Sequence, residues 1–121
     1  MKNNTICFDF DGVIIKKQPY GDGELWQKPT KDCRKTIKML SKNFKIVISS
    51  VRCHPSPRKY YKHEVVHTAK YKIGKMKKWL KKNKIYYDEI TPFKPRAFIY
   101  VDDKGYRFTD MQALAKYLKQ I

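Results

Sequence analysis

Acidic residues are scarce in this chain, and their placement is uneven. Eleven Asp and Glu stand against 28 Lys and Arg in 121 residues, a net charge of +17. Four of the acids form two close pairs, Asp9/Asp11 and Asp102/Asp103, and each pair directly follows an apolar run. Carboxylates crowded together repel and raise one another's pKa. A hard divalent cation removes the conflict. Mg²⁺ takes oxygen ligands, keeps several of its waters and needs only one to three carboxylates. The plainer reading is that these acids cap loops or helices, and Asp11-Gly12 alone would make a simple turn.

The surrounding elements separate the two readings. Thr5 to Phe8 is a short apolar run ended by Asp9, as expected for a buried strand. Gly12 follows as a turn, and residues 16–29, with Pro19, Gly21, Gly23 and Pro29, read as a loop or small flap. A helix is expected from an N-cap at Thr30 to about Lys42, with Cys33, Ile37 and Leu40 on one face. Phe44–Ser49 reads as a second strand, residues 51–68 as a loop and residues 73–83 as a basic amphipathic helix with Ile73, Met76 and Leu80 inward. Ile85-Tyr86-Tyr87 reads as a third strand and Ala97–Val101 as a fourth. Arg107-Phe108 reads as an edge strand, and a last helix is capped by Thr109 or Asp110, with Met111, Leu114 and Leu118 inward. Strands alternating with helices imply right-handed crossovers and a mostly parallel sheet. Ligands of such sheets bind beyond the carboxyl ends of the strands. Both Asp pairs fall there, which favours a metal site.

Four stretches then carry a resemblance. Phe8-Asp9-Phe10-Asp11-Gly12-Val13 resembles the first motif of the haloacid dehalogenase (HAD) superfamily of phosphohydrolases. Ile46-Val47-Ile48-Ser49-Ser50 resembles the second, Lys94 in Phe93-Lys94-Pro95 stands where the third-motif lysine is expected, and Ile99-Tyr100-Val101-Asp102-Asp103 resembles the fourth. The motifs occur in order and span residues 5–103. The resemblance implies a three-layer, Rossmann-like α/β core. It makes Asp9 the nucleophile that forms an aspartyl-phosphate, and Asp11 the general acid/base. Ser49, or Ser50 if the strand ends one residue later, would hydrogen-bond the phosphoryl group, and Lys94 would balance its charge. Mg²⁺ would be held by Asp9, the Asp11 carbonyl, Asp102 and Asp103. Asp103 is favoured for direct ligation because it aligns with the acid of the common Gly-Asp version. Gly12, Ser50 and Arg52 would lie against the substrate. Two departures stand out. No acid follows Asp103 until Asp110, and Val13 replaces a common Thr.

Neither the stretch after Asp11 nor that before the fourth strand can hold a cap domain, so one domain over residues 1–121 with an open site is expected. An open site suits a large substrate whose phosphate protrudes, or a small one covered by a partner. His63 and His67 have the i, i+4 spacing of a zinc chelate but lack a CxxC beside them, and a solvated loop is the better reading. Arg52, His54 and Arg58 follow the second motif and should overhang the site. Ala69–Lys84 holds eight lysines with Tyr71 and Trp79. They are read as the solvated side of a helix packed on the sheet, against the alternative of tracking a phosphate backbone. Cys7, Tyr86, Tyr87 and Tyr100 are read as packing residues. Three scattered cysteines suit reduced thiols in a cytoplasm, and no signal peptide or membrane span is read.

The expectation is therefore a capless, Mg²⁺-dependent phosphatase acting on a nucleotide or nucleic-acid phosphate end. The alternatives are a small sugar or metabolite phosphatase and a nucleic-acid-binding module that keeps the fold without turnover.

Overall fold

The computed structural model describes residues 4–18, 24–53, 69–102 and 110–119. Four strands, β1 (Asn4–Asp9), β2 (Phe44–Ser49), β3 (Glu89–Thr91) and β4 (Ile99–Val101), form one sheet in the order β3-β2-β1-β4. Every pairing is parallel. Three helices, α1 (Cys33–Leu40), α2 (Ala69–Lys82) and α3 (Met111–Lys119), complete an α/β, Rossmann-like fold.

Strand alternation decides which face each residue meets. Ile6, Phe8 and Phe10 of the central strand and its exit join Ile46, Ile48, Ile99 and Val101 in one core. The same core takes Cys33, Ile37 and Leu40 from α1, Met76, Trp79 and Leu80 from α2, and Met111 and Leu114 from α3. Among the described residues α1, α2 and α3 thus pack on the face of the sheet that carries Ile6 and Phe8. Cys7 and Val47 face the other way and are also buried. On that side the Tyr100 hydroxyl donates to the Pro95 carbonyl, which ties the chain before β4 to the sheet.

Several boundaries differ from those expected. Helix α1 begins at Cys33 rather than at Thr30, and its N-cap Asp32 sits at φ 60° without a side-chain cap. The Thr30 hydroxyl instead donates to the Val13 carbonyl at 2.6 Å, closing the base of the 16–29 flap. Helix α2 starts earlier than expected, at Ala69. The third strand is Glu89–Thr91, not Ile85–Tyr87. Ile85 instead serves the end of α2, while Tyr86, expected to pack on the sheet, is exposed and its hydroxyl donates to Asp88 Oδ1 at 2.6 Å. Lys84 takes φ 56°, and the Ile85 N–H donates to the Leu80 carbonyl at 2.9 Å while the Lys84 N–H donates to Lys81 at 3.1 Å. This is a Schellman ending, with buried Ile85 against Leu80 as its apolar contact. Asp88 then enters the ladder, its backbone N–H donating to the Ile46 carbonyl and its carboxylate accepting from the Ile46 N–H, both at 2.8 Å. Strand β4 is shorter than expected, although the Phe98 N–H still reaches the Thr5 carbonyl at 2.8 Å. Asp110 caps α3, accepting from the Ala113 N–H at 2.8 Å. The expected edge strand at Arg107-Phe108 lies outside the described residues. Among the described residues no helix is long and apolar enough to cross a membrane.

Candidate functional site at the carboxyl edge of the sheet

The register brings the separated sequence stretches together. Asp9, the last residue of β1, pairs with Ser49, the last residue of β2. Ser49 in turn pairs with Thr91, the last residue of β3. On the other flank Phe8 pairs with Val101, so Asp102 leaves β4 beside Asp9. Neighbouring strands lie about 4.8 Å apart, so these residues form one contiguous row. Because Phe8, Ile48, Ile90 and Val101 face the helical core, alternation turns Asp9, Ser49, Thr91 and Asp102 to the opposite face. Cys7 lies beneath them. Burial pushes its thiol pKa up, a hydrogen bond with Ser49 and the charge of Lys94 pull it down, and the charge of Asp9 raises it.

Beyond Asp9 the chain reverses sharply. Gly12 adopts φ +83°, a conformation that strains other residues, and its N–H donates to the Ile15 carbonyl at 2.9 Å. A Cβ there would also lie 3.3 Å from the stem of Lys17. The turn carries Asp11 off the strand and toward Arg52. That guanidinium donates from Nε to both carboxylate oxygens at 3.0 Å and from Nη2 to Oδ1 at 2.9 Å. Arg52 sits in a short 3₁₀ turn, Val51–Cys53, that follows β2. Its own N–H donates to Ser50 Oγ at 3.1 Å, so Ser50 shapes the turn while Ser49 shares the face of Asp9.

On the other flank Lys94 forms a hydrogen-bonded ion pair with Asp102. Lys94 stands in the connection between β3 and β4, eight residues before Asp102. The structure therefore groups Asp9, Ser49, Asp102 and Lys94, and holds Asp11, Gly12, Ser50 and Arg52 in the adjoining turns. Asp103, His54, Arg58, His63 and His67 lie outside the described residues. Thr91 and Lys17 were missed from sequence. Thr91 lies beyond the third strand expected at Ile85–Tyr87, and the position of Lys17 depends on the flap's return.

Among the described residues no group of three or more His, Cys, Asp or Glu side chains could hold a metal ion. The donors that are present, the carboxylates of Asp9 and Asp102 and the backbone carbonyls of the turn, are hard oxygens. They fit Mg²⁺, which is content with one or two carboxylates and water.

Fold and site together define an α/β protein with a polar, carboxylate-centred cluster at the carboxyl edge of a parallel sheet, where such folds bind ligands. No family model matches the chain, and no curated protein matches it. A crystal structure of a target protein from Vibrio cholerae is similar to it over 96% of this chain and 94% of that one, with 22% identity and a TM-score of 0.56. That likeness shows the fold.

Proposed function

We propose that the protein is a Mg²⁺-dependent phosphohydrolase of the HAD type that works through an aspartyl-phosphate. The observation that carries this reading is the row at the sheet edge: Asp9 on the central strand, Ser49 and Asp102 on the strands beside it, and Asp11 two residues on in an Arg52 clasp.

In the first step Asp9 attacks phosphorus, the P–O bond to the leaving group breaks, and Asp11 gives the leaving oxygen its proton. In the second, Asp11 takes a proton from water, whose oxygen attacks phosphorus and releases inorganic phosphate from Asp9. The Ser49 hydroxyl and the Lys94 ammonium bind the equatorial oxygens, where charge gathers as the phosphoryl group transfers. Arg52 fixes the plane of the Asp11 carboxylate in its charged form, the form that takes the proton from water, and must release one oxygen when Asp11 carries the proton; Gly12 lets the backbone turn closely enough to place it. Mg²⁺ held by Asp9, Asp102, Asp103 and the Asp11 carbonyl would neutralise phosphoryl charge when bound.

The test is hydrolysis of p-nitrophenyl phosphate with and without Mg²⁺, by wild type and Asp9→Asn. Mg²⁺-dependent turnover that the substitution abolishes is expected. A wild type inert on this and on a panel of nucleotide and sugar phosphates would overturn the reading, as would full activity in Asp9→Asn.

A further inference from the structure

Helix α2 lies against the Asp11 side of the site. The rings of Trp79 and Phe10, the residue between the two aspartates, pack in a T shape, with centroids 5.5 Å apart and planes at 87°. The Cys53 thiol, next to Arg52, contacts Met76 sulfur at 3.5 Å. If Asp11 protonates the leaving oxygen, the rest of the leaving group extends toward this flank, away from Lys94 and Asp102.

The outer side of α2 is strongly cationic. The helix carries seven lysines and no acid in its 14 residues. Lys70, Lys77, Lys78, Lys81 and Lys82 are exposed. Among the described residues only Lys75 of this helix is in an ion pair, with Glu24 at 2.6 Å. Lys70, Lys78 and Lys82 lie on one i, i+4 ridge that passes through Gly74, about 12 Å and 6 Å apart along the helix axis.

Helix stability does not account for this pattern. Lys81 and Lys82 suit the negative end of the helix dipole, but the other five lysines of α2 lie before its last turn and gain nothing from that end. Gly74, between Lys70 and Lys78, costs about 1 kcal/mol relative to Ala in a helix interior. No neighbour requires it, since a Cβ there would meet nothing within 4 Å. Gly74 lies in a surface groove of about 370 Å³ lined by Lys70, Tyr71, Lys75 and Lys78. The Tyr71 ring is partly exposed on it, with Lys75 Nζ 5.4 Å from the ring centroid.

We propose that this outer face of α2 binds the backbone of a single-stranded nucleic acid whose phosphorylated end enters the site. Repeated cations beside an exposed aromatic ring suit a strand, which offers a phosphate at each step and a base to stack. A bilayer fits less well, because Met76, Trp79 and Leu80 of this helix are spent on the core. The position of the strand's end rests on the phosphohydrolase reading, whereas binding of the strand along the helix does not.

The experiment measures anisotropy of a labelled, 5′-phosphorylated single-stranded oligonucleotide with the Asp9→Asn protein, which holds the strand without cleaving its phosphate. Affinity should fall with salt at a log–log slope of roughly −0.7 per phosphate contacted. The triple substitution Lys70→Gln, Lys78→Gln, Lys82→Gln should weaken binding at least tenfold and flatten the slope by about 2 units. A charge-matched triple, Lys35→Gln, Lys38→Gln, Lys42→Gln, should bind like its parent. The proposal is overturned if the oligonucleotide does not bind at low salt. It is equally overturned if both triples weaken binding alike, or if phosphatidylserine vesicles bind at this face and the oligonucleotide does not. Hydrolysis of p-nitrophenyl phosphate by wild type separates the two readings. Turnover without strand binding refutes this inference alone, and strand binding without turnover refutes the phosphohydrolase alone.

Discussion

Two acid–cation pairs flank Asp9, and they are built in opposite ways. In the Arg52–Asp11 pair the cation is buried, its side chain 4% exposed, while the acid is 24% exposed. In the Lys94–Asp102 pair the acid is buried at 5% and the cation is 42% exposed. A guanidinium gripping both carboxylate oxygens fixes an orientation as well as a charge. An ammonium on a flexible stem gives one contact and can turn elsewhere. The first pair is therefore suited to hold Asp11 in place, and the second to exchange: Lys94 can turn to a phosphoryl oxygen while Asp102 accepts another cation.

Removing each cation should break the two pairs differently. Arg52→Met leaves Asp11, which is 24% exposed, to solvent and should cost about 1–2 kcal/mol of stability through the lost hydrogen bonds. Turnover should fall sharply with it. Arg52→Lys restores the charge without the fork and should recover stability better than activity. Lys94→Met leaves the carboxylate of Asp102 buried without this cation and should destabilise more, by about 3 kcal/mol, and millimolar Mg²⁺ should restore its melting temperature, because the ion returns positive charge beside Asp102. Mg²⁺ should not restore Arg52→Met. Thermal melts of both variants in EDTA and in Mg²⁺ check this, and rescue of both or of neither would erase the distinction.

In wild type, Mg²⁺ should raise the melting temperature, since it binds only the native arrangement. Asp102→Asn should abolish most of that shift, whereas Asp32→Asn, in the cap of α1, should leave it intact. An Asp102→Asn protein with the full shift would place the ion elsewhere.

The thiols supply a smaller effect at high pH. Burial pushes Cys33 up to about 12 and Cys53 up to about 11, and raises Cys7 as well. An unfolded thiol ionises near pH 8.5, so the native state holds these protons longer. Their contribution is complete below that pH and is lost as pH rises toward the native values. Urea melts should show stability falling above about pH 9, by roughly 1 kcal/mol per pH unit for each such thiol. Cys33→Ala should make that decline shallower by one thiol's share. A slope unchanged in Cys33→Ala would show that this thiol is not held protonated.

The smallest effect concerns the outer face of α2. Gly74→Ala has open space for its methyl group and should stabilise the fold by about 0.5–1 kcal/mol. A loss of stability on denaturant melting would mean that the glycine is needed for conformation or packing.

The central strand, its two aspartates and the glycine turn were legible because an apolar triplet ending in acids has few other uses. The apolar faces of α1 and α3 were legible from spacing alone, and the cap of α3 was narrowed to Thr109 or Asp110, of which Asp110 makes the bond. The third strand was not. Ile85-Tyr86-Tyr87 has strand composition, yet a residue at φ 56° before it turns Ile85 back onto the last turn of α2. The true strand, Glu89-Ile90-Thr91, is short and only partly buried, and its pairing to β2 is marked by Asp88, which reads as a loop residue. With the strand misplaced, Thr91 could not be seen beside Ser49. Arg52 was legible as a residue near the site, but its partner was not, since 41 residues separate it from Asp11 and only the reversal at Gly12 brings them together.

The most direct test is to look for phosphate on Asp9. Wild-type protein mixed with Mg²⁺ and a phosphomonoester, quenched rapidly in acid and digested, should yield a peptide containing Asp9 that is heavier by one phosphoryl group and loses it with hydroxylamine. The modification should be absent from Asp9→Asn. If turnover proceeds and single-turnover quenches show no phosphoryl group on Asp9, or show it on another residue, the nucleophile assignment is wrong.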